Sequence, residues 1–215
     1  MKMLLLSRFI GAVPKFLGGM DAATRAATRI AYVEDAAQPL GNAPFVERER
    51  AQLRDLGYTL VPVTIGEGSG DDFSSVLDGV DAIYVAGGMA DHLMAVLRRT
   101  ATDTILAERV RAGLPYIGVS AGAIIMGTSI DSAIALDGRT EGVSLHDYSG
   151  LGLVDAVILP HADGLLPPYP PVRIAEVAHG LKGTSGLTLL ADVEGLLVTD
   201  KQARRVASPA THEGH

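Results

Sequence analysis

The stretch Tyr116-Ile117-Gly118-Val119-Ser120-Ala121-Gly122-Ala123 runs from an apolar segment, through a serine set between small residues, into the helix-forming Ile124-Ile125-Met126. A nucleophile elbow needs this passage. Its turn is so tight that the flanking positions must be small, and the serine hydroxyl is thereby pushed clear of the backbone. Upstream, Thr104 to Ala112 has helical alternation and is closed by Gly113-Leu114-Pro115, the Gly and Pro expected past a helix C-terminus. Helix, strand, turn and helix therefore follow one another around Ser120. The same alternation extends outward in both directions, with strands predicted at Met3 to Ser7, Arg29 to Val33, Tyr58 to Ile65, Ala82 to Val85, Val157 to Leu159 and Leu187 to Leu190. Helices are predicted between them at Glu47 to Leu56 and Ala90 to Arg99. Apolar runs separated by amphipathic stretches are the pattern of an α/β fold with a mostly parallel sheet.

The chain has 215 residues, 47% of them hydrophobic, enough for one sizeable core and one domain. That domain is expected over residues 1–206, with 207–215 as a frayed tail. The formal net charge is −7 and no Lys/Arg-rich run occurs, so nucleic acid is not an expected partner. Met3-Leu4-Leu5-Leu6, followed at once by Ser7-Arg8, is too short for a signal segment or a membrane span. With no cysteine in the chain, disulfides, thiolate metal sites and cysteine nucleophiles are excluded. The expectation is a soluble cytoplasmic protein with no cofactor, no metal and no membrane partner; a homodimer is left open.

Two further segments are read from pattern. Ala133 to Gly150 is polar and without period, a long loop or flap of the kind often used for function. Gly186 to Asp200 reads as two strands with Glu194-Gly195 as the turn of a hairpin, an antiparallel edge on the parallel sheet.

Val85-Ala86-Gly87-Gly88-Met89 is a second glycine turn at a strand end. In a parallel sheet both turns open at the carboxyl ends of the strands, where ligands bind. The amide of Ala121, at the start of the helix behind Ser120, and a backbone amide of the Gly87-Gly88 turn are the expected oxyanion donors. Of six histidines, His161 follows the strand Ala156 to Pro160 and reaches the same rim, which makes it the expected base. His92 and His179 fall on helices, His146 in the flap, His212 and His215 in the tail. The acid that holds the imidazole is open between Asp131 and Asp137, both lying between Ser120 and His161; Glu141, Asp147 and Asp163 fit less well.

These elements resemble the dipeptidase E, or α-aspartyl dipeptidase, family of serine peptidases, to which cyanophycinase is related. The resemblance rests on Met3-Leu4-Leu5-Leu6-Ser7, Tyr84-Val85-Ala86-Gly87-Gly88, the Ser120 elbow, and Leu151-Gly152-Leu153-Val154-Asp155 leading to Pro160-His161. It implies a class I glutamine amidotransferase-like fold with serine in place of cysteine, Ser120 as nucleophile, His161 as base and Gly88 as oxyanion donor. Three positions depart from it. Met89-Ala90-Asp91 stands where the family has Asn-Thr-Phe, so a side-chain contribution to substrate binding is lost there, with Met89 left at that substrate-binding position. The nearest match to the Arg that reads an N-terminal Asp is Arg173, displaced behind Pro170-Pro171-Val172. The family acid falls at Ala135 without gaps; Asp137 fits the family spacing, and Asp131 the pattern of more distant members.

The expected function is a serine-type hydrolase acting on small peptides, dipeptides foremost, with little preference for N-terminal Asp. A non-catalytic binding or regulatory protein and an esterase are the alternatives. The esterase is disfavoured, because the histidine that follows a late acid would have to be His212 or His215 in the tail.

Overall fold

The computed structural model describes residues 1–19, 21–184, 186–200 and 202–211. Its elements are β1 (Lys2–Leu6), α1 (Val13–Leu17), α2 (Ala22–Ala27), β2 (Arg29–Val33), α3 (Pro44–Asp55), β3 (Thr59–Val63), α4 (Gly70–Asp78), β4 (Ala82–Val85), α5 (Ala90–Arg99), α6 (Thr102–Arg111), β5 (Tyr116–Val119), α7 (Ala121–Ile124), α8 (Asp131–Asp137), β6 (Ile158–Leu159), α9 (Pro171–Gly180), β7 (Thr188–Leu189), β8 (Glu194–Thr199) and β9 (Gln202–Ala207).

Seven strands form one sheet in the order β3-β2-β4-β5-β1-β8-β9. The first five are mutually parallel, and β8 and β9 add an antiparallel edge beyond β1. A two-stranded parallel pair, β6 with β7, lies apart. β1 shows why its sequence is apolar throughout: Met3 and Leu5 belong to the core on one face, Leu4 and Leu6 to the core on the other. A strand covered on both faces cannot alternate with polar residues. Because β4, β5 and β1 are adjacent and parallel, the residues just past Val85, Val119 and Leu6 rise from one edge of the sheet. No helix among the described residues is long and apolar enough to cross a membrane.

Three expectations are corrected. The segment read as an irregular flap opens with helix α8 and only then becomes irregular; its irregular part is tied down, with Arg98 donating to Asp147 and Ser149, and Thr140 to Asp91 at 2.6 Å. The C-terminal hairpin is β8 with β9, not two strands turning at Glu194-Gly195. Thr188–Leu189 instead pairs with β6, and the chain turns at Ala191–Glu194, where the Glu194 amide donates to the Ala191 carbonyl at 2.9 Å. That turn holds neither Gly nor Pro, which is why the pattern passed over it. The segment expected to fray begins in order: Ser208 is buried, its hydroxyl donating to the Phe9 carbonyl and accepting from the Ala12 amide. His212 and His215 lie outside the described residues.

Candidate active site

Ser120 sits between β5 and α7 with φ 47° and ψ −107°, a conformation that costs a non-glycine residue about 1–3 kcal/mol and persists only where its surroundings enforce it. Here they do. A Cβ on Gly122 would lie 2.3 Å from the Val85 carbonyl oxygen, so the helix start can press against β4 only without a side chain. The Ser120 amide donates to the Leu6 carbonyl at 2.9 Å, which fixes the turn to β1. The opposing glycine turn is equally constrained: Gly88 has φ +140°, and a Cβ there would stand 2.2 Å from the Ala36 carbonyl oxygen. The Met89 amide is taken by that carbonyl at 2.7 Å. The amides of Gly88 and Ala121 take no partner among the described residues.

His161 follows β6 with φ 57° and is buried. Its Nε2 is 3.2 Å from Ser120 Oγ, and its Nδ1 is 2.7 Å from Oδ1 of Asp192. The carboxylate behind the imidazole is thus neither of the two expected. Asp131 is exposed at the start of α8, its amide bonded to the Ser129 hydroxyl. Asp137, at the far end of α8, lines the Ser120 cavity and accepts from the Tyr169 hydroxyl at 2.5 Å; although the residue as a whole is exposed, partial desolvation against the cavity wall pushes its carboxyl up. Neither touches His161.

Asp192 is held by β1's exit. Arg8 Nη1 donates to Oδ2 at 3.0 Å, the Ser7 hydroxyl lies 3.4 Å from Oδ1, and the Ser7 oxygen accepts the His161 amide at 2.7 Å. Burial raises the Asp192 carboxyl, but the hydrogen bonds from His161 and Arg8 outweigh it and leave it below its ordinary range. A carboxylate at Nδ1 requires the proton there, which leaves Nε2 free to accept from Ser120. Tyr169 stacks on the imidazole with ring centres 5.1 Å apart and shields its other side.

Asp192, Ser7 and Arg8 were not singled out by the sequence. The rule that found His161, a polar residue just beyond an apolar strand, points equally to Ser7-Arg8 after β1 and to Asp192 after β7. Two assumptions hid Asp192: a search for the acid between serine and histidine, and a hairpin drawn across it.

A cavity of about 430 Å³ opens over Ser120, lined among others by Phe45, Gly88, Met89, His161, Leu166 and Tyr169. Met89 is part of that lining. Arg173 is not: from α9 its Nη2 donates to the Ala135 carbonyl at 2.5 Å and approaches that of Leu136 at 3.4 Å, capping the end of α8 rather than entering the cavity. A groove of about 510 Å³ between Lys2, Lys15 and Arg204 is elsewhere on the molecule and is lined by no serine, threonine, histidine or carboxylate. Among the described residues no group of three or more His, Asp or Glu is arranged to hold a metal ion.

The sequence profile of peptidase family S51 matches residues 15–206. The chain belongs to that family. Among relatives of this S51 peptidase, an uncharacterized peptidase of Listeria innocua is 32% identical over 158 residues, 74% of each chain. Peptidase E of Streptomyces coelicolor is 34% identical over 121 residues, covering 54% of this chain and 45% of its own. The crystal structure of a candidate peptidase E protein from Listeria monocytogenes superposes with a TM-score of 0.84 at 25% identity, over 96% of this chain and 98% of that one. Membership makes the protein a serine peptidase acting on small peptides.

Proposed function

We propose that this S51 peptidase cleaves dipeptides and similarly short peptides by acyl transfer through Ser120, His161 and Asp192. The observation that carries the reading is the continuous hydrogen-bonded chain from Ser120 Oγ through both imidazole nitrogens to Asp192, at the floor of a cavity. Ser120 Oγ attacks the scissile carbonyl carbon while His161 Nε2 takes the hydroxyl proton, and Asp192 stabilises the imidazolium that forms. The carbonyl oxygen becomes an oxyanion beside the unpaired amides of Gly88 and Ala121. Collapse breaks the C–N bond, with His161 giving its proton to the leaving amine. Water, deprotonated by His161, then attacks the acyl-serine ester and releases the acid.

The positions of Asp131 and Arg173 support neither a role for Asp131 in the reaction nor Arg173 as a reader of substrate side chains. Asp137 and Met89 remain candidates for substrate contact from the cavity wall. The test is a dipeptide panel run on wild-type and Ser120→Ala protein, with a fluorophosphonate probe alongside. The wild type should cleave and label, and Ser120→Ala should lose rate by on the order of 10³ or more. Wild-type protein that neither labels nor cleaves would return the chain to a binding role.

A further inference from the structure

Helix α3 places Phe45, Arg48 and Glu49 on one face, at i, i+3 and i+4, and all three line the Ser120 cavity. The contact is close: a Cβ on Gly87 would lie 3.8 Å from the Phe45 ring and 3.3 Å from Ser120 Cβ. Glu49 is the unusual member. It is 9% exposed, and its one protein hydrogen bond is from the Tyr84 hydroxyl to Oε2 at 2.9 Å. Among the described residues its other oxygen has no hydrogen-bond partner, without being sealed from solvent, and no Lys, Arg or His forms an ion pair with it. Arg50, next on the helix, is committed to Glu34 and Glu47.

Burying a carboxyl without a counter-ion is costly, and folded proteins rarely keep such a group unless something completes it. Asp137, the other acid lining the cavity, is the more exposed of the two and already accepts from the Tyr169 hydroxyl. We propose that Glu49 binds a substrate ammonium group, so that the peptide itself brings the missing counter-ion. The inference rests on the peptide-hydrolase reading. It adds the ligand chemistry, a free ammonium on the residue that acylates Ser120, whether the α-amino group or a basic side chain. Arg8 and Arg48 line the same cavity and suit the carboxylate at the other end of a short zwitterionic peptide.

Burial pushes the Glu49 carboxyl up to about 8, so at pH 7 it is mostly protonated and must lose its proton to pair with an ammonium. The groups that act on it are Tyr84 on β4 and Arg48 on α3, with Tyr32 stacked behind the Tyr84 ring on β2; Arg8, His161 and Asp137 line the same cavity.

Calorimetry on Ser120→Ala protein, which binds without turnover, tests this with Ala-Ala, N-acetyl-Ala-Ala and Lys-Ala, with and without Glu49→Gln. Gln keeps an acceptor for Tyr84 and removes the charge. The Glu49 protein should prefer Ala-Ala over its acetylated form by about tenfold or more, and Glu49→Gln should erase that preference while binding the acetylated peptide as before. In buffers of different ionisation enthalpy, binding at pH 7 should release close to one proton, and the Gln variant should lose that release. A preference confined to Lys-Ala over Ala-Ala, and lost with Gln, supports the same role with the side-chain ammonium as the group read. No ammonium preference, equal weakening of all three peptides by Gln, or no peptide binding at all would overturn the inference. Fluorophosphonate labelling of wild-type Ser120 judges the hydrolase reading separately, so either can fail alone.

Discussion

The turn that carries Ser120 and the turn that carries Asp192 are both short, both follow a strand, and both deliver a side chain to the same imidazole, yet only the first can be read from sequence. Around Ser120 the constraint is local: neighbours must be small, since a Cβ on Gly122 meets the Val85 carbonyl, and that demand is written into the adjacent residues. Around Asp192 every partner is distant, with Arg8 184 residues away, Ser7 185 and His161 31. Ala191-Asp192-Val193 carries no compositional mark of its task. Steric constraints leave a signature beside the residue they act on; electrostatic ones leave it on whatever the fold brings close.

The comparison breaks most sharply at the acid. Asp192→Asn should lower kcat by about 10²–10⁴, because the amide holds the wrong tautomer at Nδ1, while Asp131→Asn should leave kcat within about twofold. Comparable losses from the two would return the acid to α8. Combined with Ser120→Ala, the Asn change should add almost nothing, since the groups act as a unit.

At the elbow the effect is on folding. Gly122→Ala should destabilise by about 1–3 kcal/mol through overpacking, seen as a lower denaturation midpoint; an unchanged midpoint would mean the turn has room to spare.

Titration sharpens the contrast further. Asp192 is depressed below its ordinary 3.8, so its contribution to stability is fully present above that value and is lost as pH falls through the lower folded-state one. The stability gap between wild type and Asp192→Asn should therefore narrow as pH drops below about 4. A gap that stays constant to lower pH would argue against a charged Asp192.

The smallest effect is expected at Arg173. Its substitution by Met should cost about 1 kcal/mol or less by uncapping α8, and should leave the ratio of Asp-Xaa to Ala-Xaa hydrolysis unchanged. A selective rise in KM for Asp-Xaa would place it back in substrate recognition.

Much of the fold was legible. β2, β4, β5 and α5 stand where periodicity put them, because strands buried on both faces and a strongly amphipathic helix declare themselves. Ser120 and His161 followed from their places at strand ends. Three features had no local pattern to betray them: the helix α8 at the head of a polar segment, the turn at Ala191–Glu194, and Glu49, which in sequence is one acid among the charges of α3 and becomes distinctive only when Tyr84 and the cavity close over it.

The position of β1 has a consequence for biosynthesis. It lies between β5 and β8, and its exit residues Ser7 and Arg8 grip an aspartate synthesised some 185 residues after them. A ribosome-bound chain lacking residues beyond about 190 would hold Ser120, His161 and the sequence of all five parallel strands, yet have no carboxylate behind the imidazole. If the proposed triad holds, proteolytic competence waits for Asp192 to reach His161, and a chain that stops short of it stays silent toward peptides.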